Sequence, residues 1–347
     1  MAQAMDLGEQ ARSLGLEDLE EAGEIYTGEV DLTQGLDLGE VFLNLYRRGV
    51  ETLEEAVGDS LHSCLLILVV AILCALAGTM TAGTGGDPMQ VTVLTASLTI
   101  GVIALGDVDS LLGLGEETIG RMEELGDILL PSVAMTMAAS GSPAAAAAKY
   151  GAAILFSDAL MALISKFLIP LVYAYGGVHV AWAALGNEGL RNLGKLLKWT
   201  VTTALSVLLL AFLAYLNFSG VIAGSADAAT VKAVKFTISN LVPVVGGVIS
   251  DTAETLLAGA SILRNTAGVF GMLAILGICL GPFLNLGLHY LAYKVTAALA
   301  ATVSGDSRVV GLIESIGTAF GLILAMTGAC GVLLTVAMIS AVSAIIV

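Results

Sequence analysis

"LHSCLLILVVAILCALAGTMTA", residues 61–82, decides the fold class. It holds no Asp, Glu, Lys or Arg, and at 1.5 Å of rise per residue it covers about 33 Å as a helix, enough to cross the hydrocarbon core of a bilayer. "GTGGDP" (83–88) then forms a tight turn, and "MQVTVLTASLTIGVIALG" (89–106) reads as a second, shorter span, so the two make a helical hairpin. The whole chain follows suit. Of its 347 residues, 57% are apolar and 13% charged, with a mean hydropathy of +0.92, outside the range of soluble globular proteins.

Charge is unevenly placed. Residues 1–60 carry fifteen of the thirty acids against Arg12, Arg47 and Arg48, so about twelve of the sixteen net negative charges lie there, and this segment faces water. An acidic balance argues against nucleic acid or anionic lipid as the main partner, because phosphates are repelled. Cys64, Cys74, Cys279 and Cys330 are scattered through apolar stretches without metal or disulfide spacing and read as small buried hydrophobes. Ala2-Gln3-Ala4 has the small-x-small pattern of a signal-peptidase site, which would place the N-terminus outside the cytoplasm; a chance match in an alanine-rich chain is the alternative.

Two domains are expected: an acidic region over 1–60, built of short amphipathic helices that lie on a membrane surface or on a partner, and a membrane domain over 61–347. Within the latter, "DVDSLLGLGEETIGRMEELGDI" (107–128), with seven acids and one arginine, reads as an interfacial amphipathic helix. Residues 129–185 are apolar but interrupted by Pro131, "SGSP" (140–143) and Pro170, so a re-entrant or half-helix followed by one or two bent helices is expected. "GNEGLRNLGKLLK" (186–198) is the densest basic loop, cytoplasmic by the positive-inside rule. "WTVTTALSVLLLAFLAYL" (199–216) is a strong span, and 266–293 and 310–347 are two more with extra length for tilt or a kink. An external N-terminus and a cytoplasmic 186–198 require an odd number of crossings between 107 and 186. Residues 294–309, with Lys294 and Arg308, close the scheme on the cytoplasmic side.

"SNLVPVVGGVISDTAETL" (239–256) is the most informative break. Pro243 removes a backbone donor, Gly246 and Gly247 permit non-helical conformations, and Asp251 and Glu254 follow at once. Freed backbone at membrane depth is tolerated only against protein or water, so the segment lines a cavity or lies outside the bilayer; both remain open. "LLPSV" (129–133) and "LVPVV" (241–245) lie 112 residues apart, as do Pro170 and Pro282. Either this is coincidence or 107–220 and 226–347 are parallel repeat halves.

Chemistry-bearing motifs are scarce. "GLRNLGKL" from Gly189 has Leu196 where a phosphate-binding loop needs Ser or Thr, and no strand precedes it. His62, His179 and His289 share no metal or triad spacing, so no catalytic residue, metal or cofactor is expected. Asp158, Asp251 and Glu254 are the candidate cavity-lining acids, since intramembrane charges pair, snorkel or face water. Gly277 with Gly281, and Gly317 with Gly321, form GxxxG motifs suited to close helix packing, within the chain or between protomers of a homo-oligomer.

"TVKAVKFTISNLVPVVGGVISDTAETLLAGASILRNTAGVFG" (230–271), with "LSVLLLAFLAYLNFSG" (205–220) and "LLPSVAMTMAASG" (129–141), resembles the stage III sporulation protein AE family. The resemblance runs from about residue 40 to the C-terminus. It implies an all-α polytopic bundle with broken or re-entrant helices and amphipathic interfacial helices, in the mother-cell-derived membrane around the forespore. It further implies a non-enzymatic role in the channel or secretion-like complex linking mother cell and forespore, beside ring-forming membrane proteins and a separate ATPase. A secondary transporter with a substrate site at the breaks around Pro131 and Pro243 is the competing expectation.

Overall fold

The computed structural model describes the backbone of residues 15–27, 38–81, 88–141, 143–241, 246–303 and 306–342. Within these it describes the side chains outside 25–26, 38, 79–81, 88–90, 219–264 and 341–342. All the described elements are helical: α1 (Leu16–Thr27), α2 (Leu38–Thr81), α3 (Pro88–Ala139), α4 (Pro143–Leu163), a π-helical turn (Ile164–Leu168), α5 (Ile169–Leu185), α6 (Glu188–Leu241), α7 (Gly246–Val303) and α8 (Ser307–Val342). Six helical segments are long and apolar enough to cross a membrane: Gly39–Gly78, Val91–Ala139, Pro143–Leu185, Glu188–Phe218, Asn265–Val303 and Ser307–Ser340.

The helices turn at a common base. Gly186, left-handed at φ +69°, ends α5, and Asn187 caps α6 by accepting from the Gly189 N–H at 2.8 Å. Asp306 caps α8 in the same way, accepting from the Arg308 N–H at 2.8 Å. The Arg308 guanidinium packs over Gly186, so these two turns touch. The turn at Gly186–Asn187 and the start of α8 at Asp306 therefore share one end of the bundle.

The exposed wall carries an apolar belt through Leu65, Val69 and Leu73 on α2, Val91, Leu98 and Val102 on α3, and Val295 and Leu299 on α7. Beyond that belt α2 exposes Arg47, Arg48, Glu51, Glu54, Glu55 and Asp59, and α3 exposes Asp109, Glu116, Glu117, Glu123, Glu124 and Asp127. Both helices run on out of the belt without a break. The boundary expected at residue 60 accordingly falls inside α2, and 107–128 is not a separate interfacial helix but the middle of α3. Continuous i to i+4 backbone bonding makes extension of an existing helix cheaper than nucleating a new one. α1 likewise lies on the bundle itself: Leu16 and Leu19 are fully buried, and the Ser132 hydroxyl lies 3.1 Å from the Gly15 carbonyl.

α7 and α8 form the axis. The apolar window of α8 is 61% buried and that of α7 50%, against 17% on α2 and 22% on α6, so α7 and α8 are the most buried of the six candidate spans.

The prolines depart from expectation. α3 passes through Pro131 and α7 through Pro282 unbroken. Beside Pro131 the Ser132 hydroxyl lies 2.8 Å from the Ile128 carbonyl and 3.1 Å from the Gly15 carbonyl, which ties this turn to α1. At Pro282, packing against α2 on the Gly281 face holds the helix. Before Pro170 the chain widens into the π turn, Ile169 N–H reaching back five residues to Ile164 O, which relieves the ring's clash without breaking the helix. Of the interruptions expected in 129–185, the one at "SGSP" is observed: the chain turns at Ser140–Gly141, where Gly141 has φ +93°. Residues 143–185 thus form one candidate crossing, satisfying the odd count.

Candidate functional site

Where the apolar belt ends, three helices meet at Asp107 on α3. Ser63 on α2 donates to Asp107 Oδ1 at 3.0 Å, and Tyr293 on α7 donates to Asp107 Oδ2 at 2.6 Å. Both bonds reach a carboxylate and are therefore of the stronger, charge-assisted kind. Tyr293 is fully buried, its ring edge-on to Phe320 at 4.9 Å.

The seating of Tyr293 depends on the glycines of α8. A Cβ on Gly317 would lie 3.1 Å from Tyr293 Cβ and 3.6 Å from the Tyr290 carbonyl, and one on Gly321 would lie 3.2 Å from the Tyr290 ring. The GxxxG pair at 317 and 321 lets α7 and α8 approach closely here, and Lys294 with Glu314 at 2.7 Å clamps the same interface. Gly281 faces Thr52 on α2 at 3.8 Å, with Gly277 half-buried one turn earlier, so the two GxxxG motifs meet different helices.

The other expected residues scatter. Asp158 is exposed on α4, whose buried face is taken by Ala152, Ala153 and Leu160. Pro243 lies outside the described residues, as do the side chains of Asp251 and Glu254; Gly246 and Gly247 begin α7. Pro131 lines a cleft of about 600 Å³ between α1 and α3, with Asp18, Glu21 and Asp127 around it. Lys149 donates to the Ser340 carbonyl in the last turn of α8, a favoured place for a cation. His179 and His289 bond Tyr175 O and Asn285 O, each at 2.9 Å, one turn back on their own helices. Among the described residues no group of three or more His, Cys, Asp or Glu side chains could hold a metal ion.

Asp107 was missed because seven acids in 107–128 read as one water-facing set. The available signal was position: Asp107 directly follows the apolar run 89–106, and Ser63 lies near the start of the facing span.

An all-helical bundle with six helical segments long and apolar enough to cross a membrane defines a polytopic helical membrane protein. Residues 36–345 match the family described as Stage III sporulation protein AE, and the chain belongs to that family. A curated relative, "Stage III sporulation protein AE" of Bacillus subtilis (strain 168), is 27% identical over 206 residues, covering 59% of this chain. The match spans 51% of that relative, about half its length. No solved structure matches the chain. It is thus a membrane protein of a stage III sporulation family.

Proposed function

We propose that the chain is a non-enzymatic scaffold or conduit component of the transenvelope complex linking mother cell and forespore, seated in the mother-cell-derived membrane around the forespore. Its basic base faces the cytoplasm by the positive-inside rule, and the acidic extensions of α2 and α3 reach into the space between the two membranes. The observation that carries the reading is the outer face of α2 beyond the apolar belt. Leu43, Tyr46, Val50, Leu53 and Val57 follow at alternating spacings of three and four, all exposed, between charges at Arg47, Arg48, Glu51, Glu54 and Glu55. A 3,4 seam flanked by charge is the pattern a helix presents to a partner helix, and an acyl chain has no use for the flanking charges.

Ring-forming membrane proteins of the complex are the partners for this seam, and the separate ATPase for the cytoplasmic base. The acids Asp251 and Glu254 are part of this reading, and Asp251→Asn with Glu254→Gln lowers spore yield at normal protein level. The test of the whole reading is affinity purification from sporulating cells. The intact chain recovers other stage III proteins, and Tyr46→Glu with Leu53→Glu releases the ring-forming ones. Purified protein that carried a defined solute across liposomes with no partner present would replace this reading with a permease.

A further inference from the structure

The base of the bundle concentrates cations that neither the Asp107 pin nor the α2 seam uses. On α6, Arg191, Lys195 and Lys198 follow at spacings of four and three, which puts them on one face of the first turns, and all three are exposed. Trp199, at 62%, and Leu196 are exposed on the flank of this face, and Leu193 is exposed farther round the helix.

Acidic neighbours do not neutralise this face. Glu188 lies 3.5 Å from Arg191 with both side chains widely exposed, a weak surface pair. Glu314, the carboxylate nearest in effect to Lys198, is already bound by Lys294 at 2.7 Å. Lys195 and Lys198 have no ion pair among the described residues. Arg191 is held in place from below, its guanidinium 5.2 Å from the centre of the Trp182 ring, and the Trp182 Nε1 donor is buried without a hydrogen-bond partner.

Water is a poor neighbour for Leu193, Leu196 and Trp199, and hydrocarbon is a poor one for three cations. The boundary between acyl chains and headgroups suits both, and the sign of the charge selects anionic headgroups. We propose that the basal face of α6, from Arg191 to Trp199, binds anionic phospholipid: Lys195 and Lys198 hold the headgroup phosphate while the acyl chains lie along Leu196 and Trp199.

Trp182 and Trp199 are the chain's two tryptophans, and only Trp199 is exposed, so it serves as the reporter. The full-length chain is reconstituted with phosphatidylglycerol or phosphatidylcholine brominated on the acyl chains, and quenching is read against Trp199→Phe as baseline. Brominated phosphatidylglycerol quenches Trp199 more strongly at equal mole fraction. That preference falls roughly fivefold for each lysine neutralised in Lys195→Gln and Lys198→Gln, as expected for a charge at a membrane surface, and survives in Lys195→Arg with Lys198→Arg. Equal quenching by the two lipids overturns the proposal, as does an unchanged preference in the double Gln variant. Loss of the preference on adding inorganic phosphate also overturns it, because the site would then belong to a soluble anion.

Discussion

Tyr293→Phe deletes the hydroxyl that donates to Asp107 Oδ2 at 2.6 Å and leaves the ring, packed on Phe320, in place. The variant therefore isolates one hydrogen bond to a carboxylate, while Ser63 remains as the second donor at 3.0 Å. Bonds to charged groups contribute about 1.5–3 kcal/mol, and the surviving donor together with the half-buried position of Asp107 puts the loss near the lower bound, ~1.5 kcal/mol. Denaturant titration in detergent, followed by helix content, measures it. The same substitution is then made in an Asp107→Leu background, where the partner is already gone and Tyr293→Phe should cost under ~0.5 kcal/mol. A cost equal in both backgrounds would refute the pin, since the hydroxyl would then be held by something other than Asp107.

Gly317→Leu and Gly321→Leu force α7 and α8 apart and should each cost about 1–3 kcal/mol in that titration. Gly120→Ala, where the added Cβ meets nothing within 4 Å, should be neutral or slightly stabilising. At the base, burial alone would raise the Asp306 carboxyl, but its hydrogen bonds to Arg308 and the guanidinium charge outweigh that and hold it below the usual carboxylate range. A depressed folded-state pKa stabilises fully above the unfolded-state value and loses that contribution as pH falls through the folded one. Wild type should therefore lose melting temperature in acid below about pH 4, and Asp306→Asn should be less stable at neutral pH with a flatter acid limb. Single cysteines at Asn187 and Asp306 should react with an impermeant reagent from the same side of the membrane, and one at Gly141 from the other. Labelling of all three from one side would contradict the arrangement of the turns.

Much of the site escaped the sequence for a definable reason. The acids of 107–128 look alike along the chain, and only the arrival of Ser63 from α2 and Tyr293 from α7, 44 and 186 residues away, separates Asp107 from the rest. The 317/321 glycines were legible as a packing motif, whereas their role in seating Tyr293 was not. Asp158 shows the converse, a charge in an apolar stretch that the fold turns outward.

By itself the sequence determined the class, the two basic turns and their common side, and the helical hairpin of 61–106, because all of these follow from local hydropathy and charge against a bilayer of fixed thickness. Tertiary structure decided where helices end. Pro131, Pro170 and Pro282 read locally as breaks, yet those helices run on, with a widened π turn before Pro170, and of the interruptions read in 129–185 only Ser140–Gly141, within "SGSP", turns the chain. It also decided which apolar runs meet lipid and which meet protein: α2 and α8 are similarly hydrophobic, and only their places at the wall and at the axis distinguish them.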